Sequence, residues 1–481
     1  MARHRNIFSA IILLSALLPV SCATYNKQAG GYYYQLRQGN FEKAAAELDK
    51  NKLLAKDRNR LLYLLERGKL AHLMNQWDSS NTLLNEADHM MEDASLSAKD
   101  IALGTLINPM MQAYRAEAFE KYMVHYYKAL NYLQLGQPQE AMVEARRISL
   151  TAYSQEDKTG KNKYAKDAFA FILQGLIYEK NNDINNAFIA YRNAADVYLE
   201  NNGVYYDTKM PEQLKKDLLR TAYLNGFTDE LGRYERLLNI TFKDQPVPEG
   251  GELVLFWENG NAPVKKQTDL YFSLIKNAGG AFFFTDANGL YNVPFDLSSG
   301  YNTSNPKLED LRSFRVALPA YQAQPLMYTG AMLEVNGATV PLEEAENINS
   351  LAFISLKERL LRELSSSLTR LAIKKLAEAA IRPPERKNDS NKTEEEKKKQ
   401  EKKDNQREAI ALGLQVLNFA TEKADTRNWQ SLPYSIYYVR VPLLKGNNNI
   451  TLKLNGSNAP SVTLTANSNG GLQFKNVSTL K

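Results

Sequence analysis

Residues 169–198 read FAFILQGLIYEKNNDINNAFIAYRNAADVY. Two apolar-periodic runs flank the polar break Asn181-Asn182-Asp183. Gly175, Tyr178, Ile184, Ala187, Tyr191 and Ala194 sit at helical spacings on either side of it. The small residues let two helices approach closely, and the larger ones fill the seam. The stretch predicts two antiparallel helices joined by a tight turn at Asn182.

The same offsets recur. GKLAHLMNQWDSSNTLLNEAD (68–88) sets Gly68, Ala71, Asn75, Trp77, Ser80, Leu84 and Ala87 in register. ALNYLQLGQPQEAMVEARRI (129–148) does so with Ala129, Tyr132, Gly136, Pro138, Ala141, Ala145 and Ile148, and YYYQLRQGNFEKAAAEL (32–48) is a partial copy. This pattern resembles the tetratricopeptide repeat, a helical hairpin of about 34 residues. The turn positions Gly39, Asn75, Gly136 and Asn182 are unevenly spaced, so extra segments lie between hairpins, and Pro109 should break one of them. Stacked hairpins offer an extended concave face. That face either docks a protein or simply packs. On it the candidate docking or structural residues are Tyr126, Tyr132, Arg146, Arg147, Tyr178 and Tyr191. Glu144 stands three residues before Arg147, as a helix ion pair would require.

Upstream, Arg3 and Arg5 precede the apolar run 7–20, too short to span a bilayer comfortably and typical of an export signal. Cys22 is the only cysteine of the 481 residues. PVSC (19–22) resembles the bacterial lipoprotein box, with Pro19 where Leu is usual. The resemblance implies a signal peptide over 1–21 and acylation of Cys22, a palmitate-type anchor that makes membrane lipid the first partner. No aspartate follows Cys22, which implies the outer membrane, with the protein facing the periplasm. Removing 1–21 takes away Arg3 and Arg5 and lowers the net charge from +6 to +4. No basic stripe suits a nucleic-acid partner.

Composition changes near Pro246. Short strands are expected at 252–257, 269–275, 280–286, 314–321 and 331–337, and again at 435–444, 449–455, 461–467 and 471–477, with Asn-Gly turns between several of them. Between the two groups lies an amphipathic helix with a stripe of Leu360, Leu364, Leu368, Leu371 and Leu376. The fold class is therefore α+β multidomain: a tether over 22–31, tetratricopeptide-like hairpins over 32–244, a β-rich region over 245–345, a helical arm over 346–382, a charged disordered insert over 383–407, a helix over 408–425 and C-terminal strands over 426–481. The insert has almost no apolar residues with which to offset ordering entropy. The two β segments are expected to share a sheet.

GELVLFWENGNAPVKKQ (251–267) and ADTRNWQSLPYSIYYVRVPLLKGNNNITLKL (424–454), together with the box and VEARR (143–147), resemble a poorly characterised family of bacterial lipoproteins with a repeat-like helical N-terminal half and a β-containing C-terminal half. The resemblance implies envelope assembly beside pore-type or peptidoglycan-synthesis-associated lipoproteins. Among the matching positions, Arg427 and Arg440 are candidates for ion pairs between the arm and the sheet. Trp429 is a candidate ring packed over the sheet edge.

No reaction is legible. The histidines lack zinc-helix spacing, and neither a G-x-S-x-G elbow nor a phosphate loop occurs. No metal and no cofactor are expected. Glu252 and Glu258 are glycosidase candidates by position alone. The expectation is a non-enzymatic envelope scaffold that docks another envelope protein. The alternatives are a glycan-binding lipoprotein partnered with a transporter, and an enzyme acting on envelope polysaccharide.

Overall fold

In this computed structural model five helix-to-helix turns carry a left-handed residue: Gly39, Asn75, Gly136, Asn182 and Gly226, with φ between 58° and 73°. Glycine and asparagine tolerate this region best. The turns join α2 (Gly30–Arg37) to α3 (Phe41–Asp49), α4 (Arg60–Leu73) to α5 (Trp77–Glu92), and α6 (Ala118–Gln134) to α7 (Pro138–Gln155). The last two join α8 (Ala168–Lys180) to α9 (Ile184–Glu200) and α10 (Glu212–Leu224) to α11 (Thr228–Leu238). The structure describes residues 25–92, 108–155, 166–244, 246, 248–276, 282–286, 289–295, 314–383, 393–456 and 459–480. The signal segment and Cys22 lie outside the described residues.

The small residues of the repeat are used as their spacing implies. A methyl group on Gly175 would overlap the Tyr191 ring, and one on Gly68 would meet Leu84 at 2.7 Å. Asp167 caps α8 by accepting from the Ala170 N–H at 2.7 Å. Pro109 opens a single 3₁₀ turn, Pro109–Met111, before α6. The expected tether is shorter than 22–31. A short helix, α1 (Tyr25–Gln28), already packs into the hairpins, with Tyr25 buried and its hydroxyl bonded to that of Tyr33 at 2.5 Å.

A two-stranded ribbon, β1 (Val204–Tyr205) and β2 (Thr208–Lys209), leads to three four-stranded sheets. The first has the order β10 (Glu343–Glu346), β11 (Ser435–Pro442), β3 (Glu252–Asn259), β14 (Leu472–Thr479). The second is β13 (Ser461–Ser468), β12 (Gly446–Leu454), β8 (Ala331–Val335), β9 (Ala338–Pro341). The third is β6 (Asn292–Phe295), β5 (Phe282–Asp286), β4 (Val264–Lys276), β7 (Phe314–Gln322). The two β segments of the sequence do join: β11 pairs antiparallel and β14 parallel with β3.

The first sheet is buried on both faces, which the alternation along β3 explains. Leu253, Leu255 and Trp257 enter a sandwich core with Leu333, Val335, Ile450 and Leu452 of the second sheet. Val254 and Phe256 turn the other way, into the core of the helical hairpins, beside Ile436 and Tyr438 of β11. The third sheet sets Phe272, Phe284, Phe314 and Val316 against Leu364, Leu368 and Leu371 of the arm, α12 (Ile348–Ile381).

Of the expected insert, residues 384–392 lie outside the described residues, and the rest is not disordered. Residues 394–407 are helical and run directly into the following helix as α13 (Glu394–Thr421). A capping box of Thr393 and Glu396 starts it, and glutamate, lysine and glutamine favour it. Its second half lies against α12, where Ala411 is buried, so the charged half extends an existing nucleus at little cost.

Candidate functional site

The candidate docking face of the hairpins is occupied by the chain's own β half. Three clusters of buried charge lie along the seam. Buried ions are tolerated only when paired or hydrogen-bonded, and in each cluster some of those partners come from the other half.

In the first, Glu66 of α4 accepts from the hydroxyls of Tyr32 (2.9 Å) and Tyr33 (2.6 Å) and from the Gln430 backbone N–H at 3.0 Å. Burial raises its pKa even though these donors oppose the shift. Nearby, Glu120 of α6 accepts from the Trp429 N–H at 2.9 Å and from the Tyr114 hydroxyl. Burial, then the charge of Glu117, pushes Glu120 up to about 7. Glu117 itself stays ionised, because Lys265 and Arg359 outweigh its burial. Two carboxylates of the helical half thus hold consecutive amides of the loop 425–433.

In the second, Lys69 of α4 pairs with Glu258 of β3, and both are almost fully buried. Glu258 also accepts from Tyr126 and Tyr127 (3.2 Å each), Asn476 (3.0 Å) and Ser478 (3.0 Å). Burial alone would raise the Glu258 pKa, but the Lys69 ammonium brings it below the ordinary carboxylate value. His72 bonds Asn131 at 2.6 Å, and burial lowers its pKa, which favours the neutral ring.

In the third, Arg440 of β11 meets Asp217 of α10 at 2.8 Å, Glu179 of α8 at 3.1 Å and Glu252 of β3 at 2.5 Å. Arg220 adds a second guanidinium, 2.6 Å from Glu179 and 2.9 Å from Asp217. Burial works against the Glu179 charge, but Arg440 and Arg220 hold its carboxyl down at about 2.

Several sequence expectations change here. Arg427 and Arg440 do form ion pairs, but not to the arm: those of Arg440 tie the sheet to the helical hairpins, while that of Arg427 stays within its own loop and its hydrogen bonds reach the hairpins. Arg427 pairs with Asp425 and donates to the Asn59 side chain at 2.6 Å and the Gln112 carbonyl at 3.1 Å. Trp429 is fully buried, its ring 5.9 Å from that of Tyr127, and its indole Nε1–H donates to the Ser431 hydroxyl. It packs on a helix, not over a sheet edge. Tyr126, Tyr178 and Tyr191 are buried, so they offer no platform to a partner or a sugar, and Tyr191 donates to Glu179 at 2.8 Å. Tyr132 and Arg147 are half-buried, and Arg146 alone of the set is exposed. Arg147 does not pair with Glu144. It reaches Asp88 at 2.9 Å and Glu92 on the neighbouring hairpin.

Glu144 belongs to a group that sequence spacing hid. Asp88, His125 and Glu144 bring three ligand-type atoms within 4.8 Å. The Lys128 ammonium already sits there, 2.8 Å from Asp88 and 2.9 Å from Glu144. Both carboxylates are thus already paired, Asp88 with Lys128 and Arg147, and Glu144 with Lys128 and His125. Glu252 and Glu258 cannot act as a glycosidase pair. Six residues apart on one strand, they are separated by roughly 20 Å. A cleft of about 220 Å³ between the third sheet and the arm is lined by Tyr271, Arg315, Lys374, Gln415 and Glu422. There Glu422 already holds Arg370 at 2.6 Å and Lys374 at 3.4 Å.

No family model matches the chain, and no curated protein sequence does. Similar solved structures include the apo form of RapI (TM-score 0.32, 11% identity, 48% of this chain and 57% of that one). They also include BtubC from P. vanneervenii (0.31, 13%, 50% and 89%). A Podospora anserina kinesin light chain with nearly identical TPR-like repeats is a third (0.30, 12%, 44% and 92%). The chain spans a little over half of RapI. At these scores the likeness carries no functional argument.

Proposed function

We propose that this protein is a non-enzymatic envelope scaffold, acylated at Cys22, held at the outer membrane on its periplasmic side, and docking another envelope protein. The filled concave face carries the reading. The residues best suited to recognition or chemistry, Lys69, His72, Tyr126, Glu258, Trp429 and Arg440, are all spent on joining the hairpins to the sheets. A chain built this way presents its outer surfaces to partners. One such surface is the outward face of α7, where Arg146 stands between exposed Val143 and Leu150. The pore-type and peptidoglycan-synthesis-associated lipoproteins implied by the sequence resemblance are the first partners to test.

Crosslinking in intact cells followed by mass spectrometry, with Cys22→Ser as the comparison, tests the reading. The proposal expects an envelope protein captured by the native chain, and expects Cys22→Ser to leave the membrane fraction and lose that capture. Strong oligosaccharide binding by the purified mature protein, with no envelope protein captured, would sink it.

A further inference from the structure

Among the described residues the three four-stranded sheets have six edges, and five are protected. β10 is short, carries three glutamates and has a bulge. β14 carries Lys475 and lies beside α6 and α8, where Gln134 donates to the Phe474 carbonyl at 3.2 Å. β9 is short and ends in Pro341, β6 contains Pro294, and β7 contains Arg315 and Pro319. These are the devices by which native sheets avoid pairing with another chain.

β13 has none of them. It runs eight residues, SVTLTANS, without charge, proline or bulge. Charge is absent from Leu454 through Phe474, in a chain that is 24% charged. β13 pairs only with β12 among the described residues, and its other backbone partners are side chains, Asn448 on the Ala466 carbonyl and Gln473 on the Asn467 carbonyl. Ser461, Thr463, Thr465 and Asn467 are exposed, while Val462, Leu464 and Ala466 face the sandwich core.

The strand is also self-complementary. In an antiparallel pair with a second copy, centred on Leu464, residues directly opposite share a face. Thr463 then meets Thr465, Val462 meets Ala466, and Ser461 meets Asn467. Hydroxyls and amides gather on the outer face, apolar groups on the inner, and no like charges oppose. A two-fold axis requires such matching of one patch with itself.

We infer that β13 is a pairing edge for a second copy of this chain, the two second sheets continuing into one eight-stranded sheet across a two-fold axis at Leu464.

The test is sedimentation of the full chain bearing Cys22→Ser, at about 10 μM, where a micromolar Kd gives mostly dimer. Thr463→Lys with Thr465→Lys sets lysines against each other twice across the axis, on exposed positions that the fold does not need. It should weaken the dimer roughly ten-fold. Thr463→Lys with Thr465→Asp sets opposite charges at the same places and should restore it, which only this register explains. A monomeric native chain, or a dimer indifferent to both double variants, overturns the inference. So does a monomer whose crosslink to a different envelope protein is lost in the Lys/Lys variant, which would make the occupant a foreign strand. A monomer that still captures an envelope protein in cells refutes the pairing and leaves the proposed function standing.

Discussion

Replacing Arg440 by methionine should destabilise the whole molecule. The guanidinium is almost fully buried between two carboxylates of the helical half, Glu179 and Asp217, and Glu252 of β3. Methionine keeps much of the stem's packing and removes the charge. Breaking a buried ion pair costs about 3–5 kcal/mol, because the orphaned partner stays desolvated. Arg220 remains within 2.9 Å of both helical carboxylates, so the low end applies, about 3 kcal/mol. Equilibrium urea unfolding followed by both circular dichroism and tryptophan fluorescence would read it. Trp257 and Trp429 report the β half and Trp77 the hairpins, and one transition should serve both. Adding Asp217→Asn alone should recover part of the loss, because Arg220 then keeps Glu179 as its partner. Glu179 supplies a pH signature too. Its folded pKa of about 2 lies below the unfolded value near 4.5, so its contribution is complete above that value and is lost as pH falls towards 2. A loss below about 1 kcal/mol, as for a solvated surface pair, would refute the seating of β11 on the helices.

Three further outcomes are expected. Gly175→Ala should cost about 1–3 kcal/mol by overpacking against Tyr191, measured by the same unfolding. Burial, then Asp207, raises Glu344 to about 7, so the folded state holds its proton more tightly than the unfolded state. Its contribution is present below about 4.5 and is lost as pH rises through 7, and Glu344→Gln should flatten that fall in urea midpoints between pH 5 and 8. Lys399→Gly should weaken local helicity in α13 by about 1 kcal/mol and leave the global midpoint unchanged, since residues 394–403 are exposed throughout.

The hairpins were legible because their close approach demands small residues at fixed offsets from a left-handed turn. The α10–α11 hairpin lacks that signal. Seven residues before Gly226 stands Leu219, where other copies have Gly68, Ala129 or Gly175, and five after it stands Leu231, where they have Ser80, Ala141 or Ala187. Strands were legible from alternation and Asn-Gly turns, although short β6, β9 and β10 were not. The interface was not legible at all. Glu66, Lys69 and Glu258 look like surface charges in their local windows, and each has a buried partner 189 or more residues away in sequence. The same nonlocality turned a presumed docking face into an internal one.

The central claim is that the loop 425–433 is locked inside the hairpins. Native-state hydrogen exchange of its amides tests this most directly. The N–H groups of Trp429 and Gln430 donate to buried Glu120 and Glu66, so they should exchange only by global unfolding, as slowly as those of β3. Exchange within seconds at neutral pH, while β3 stays protected, would contradict the account.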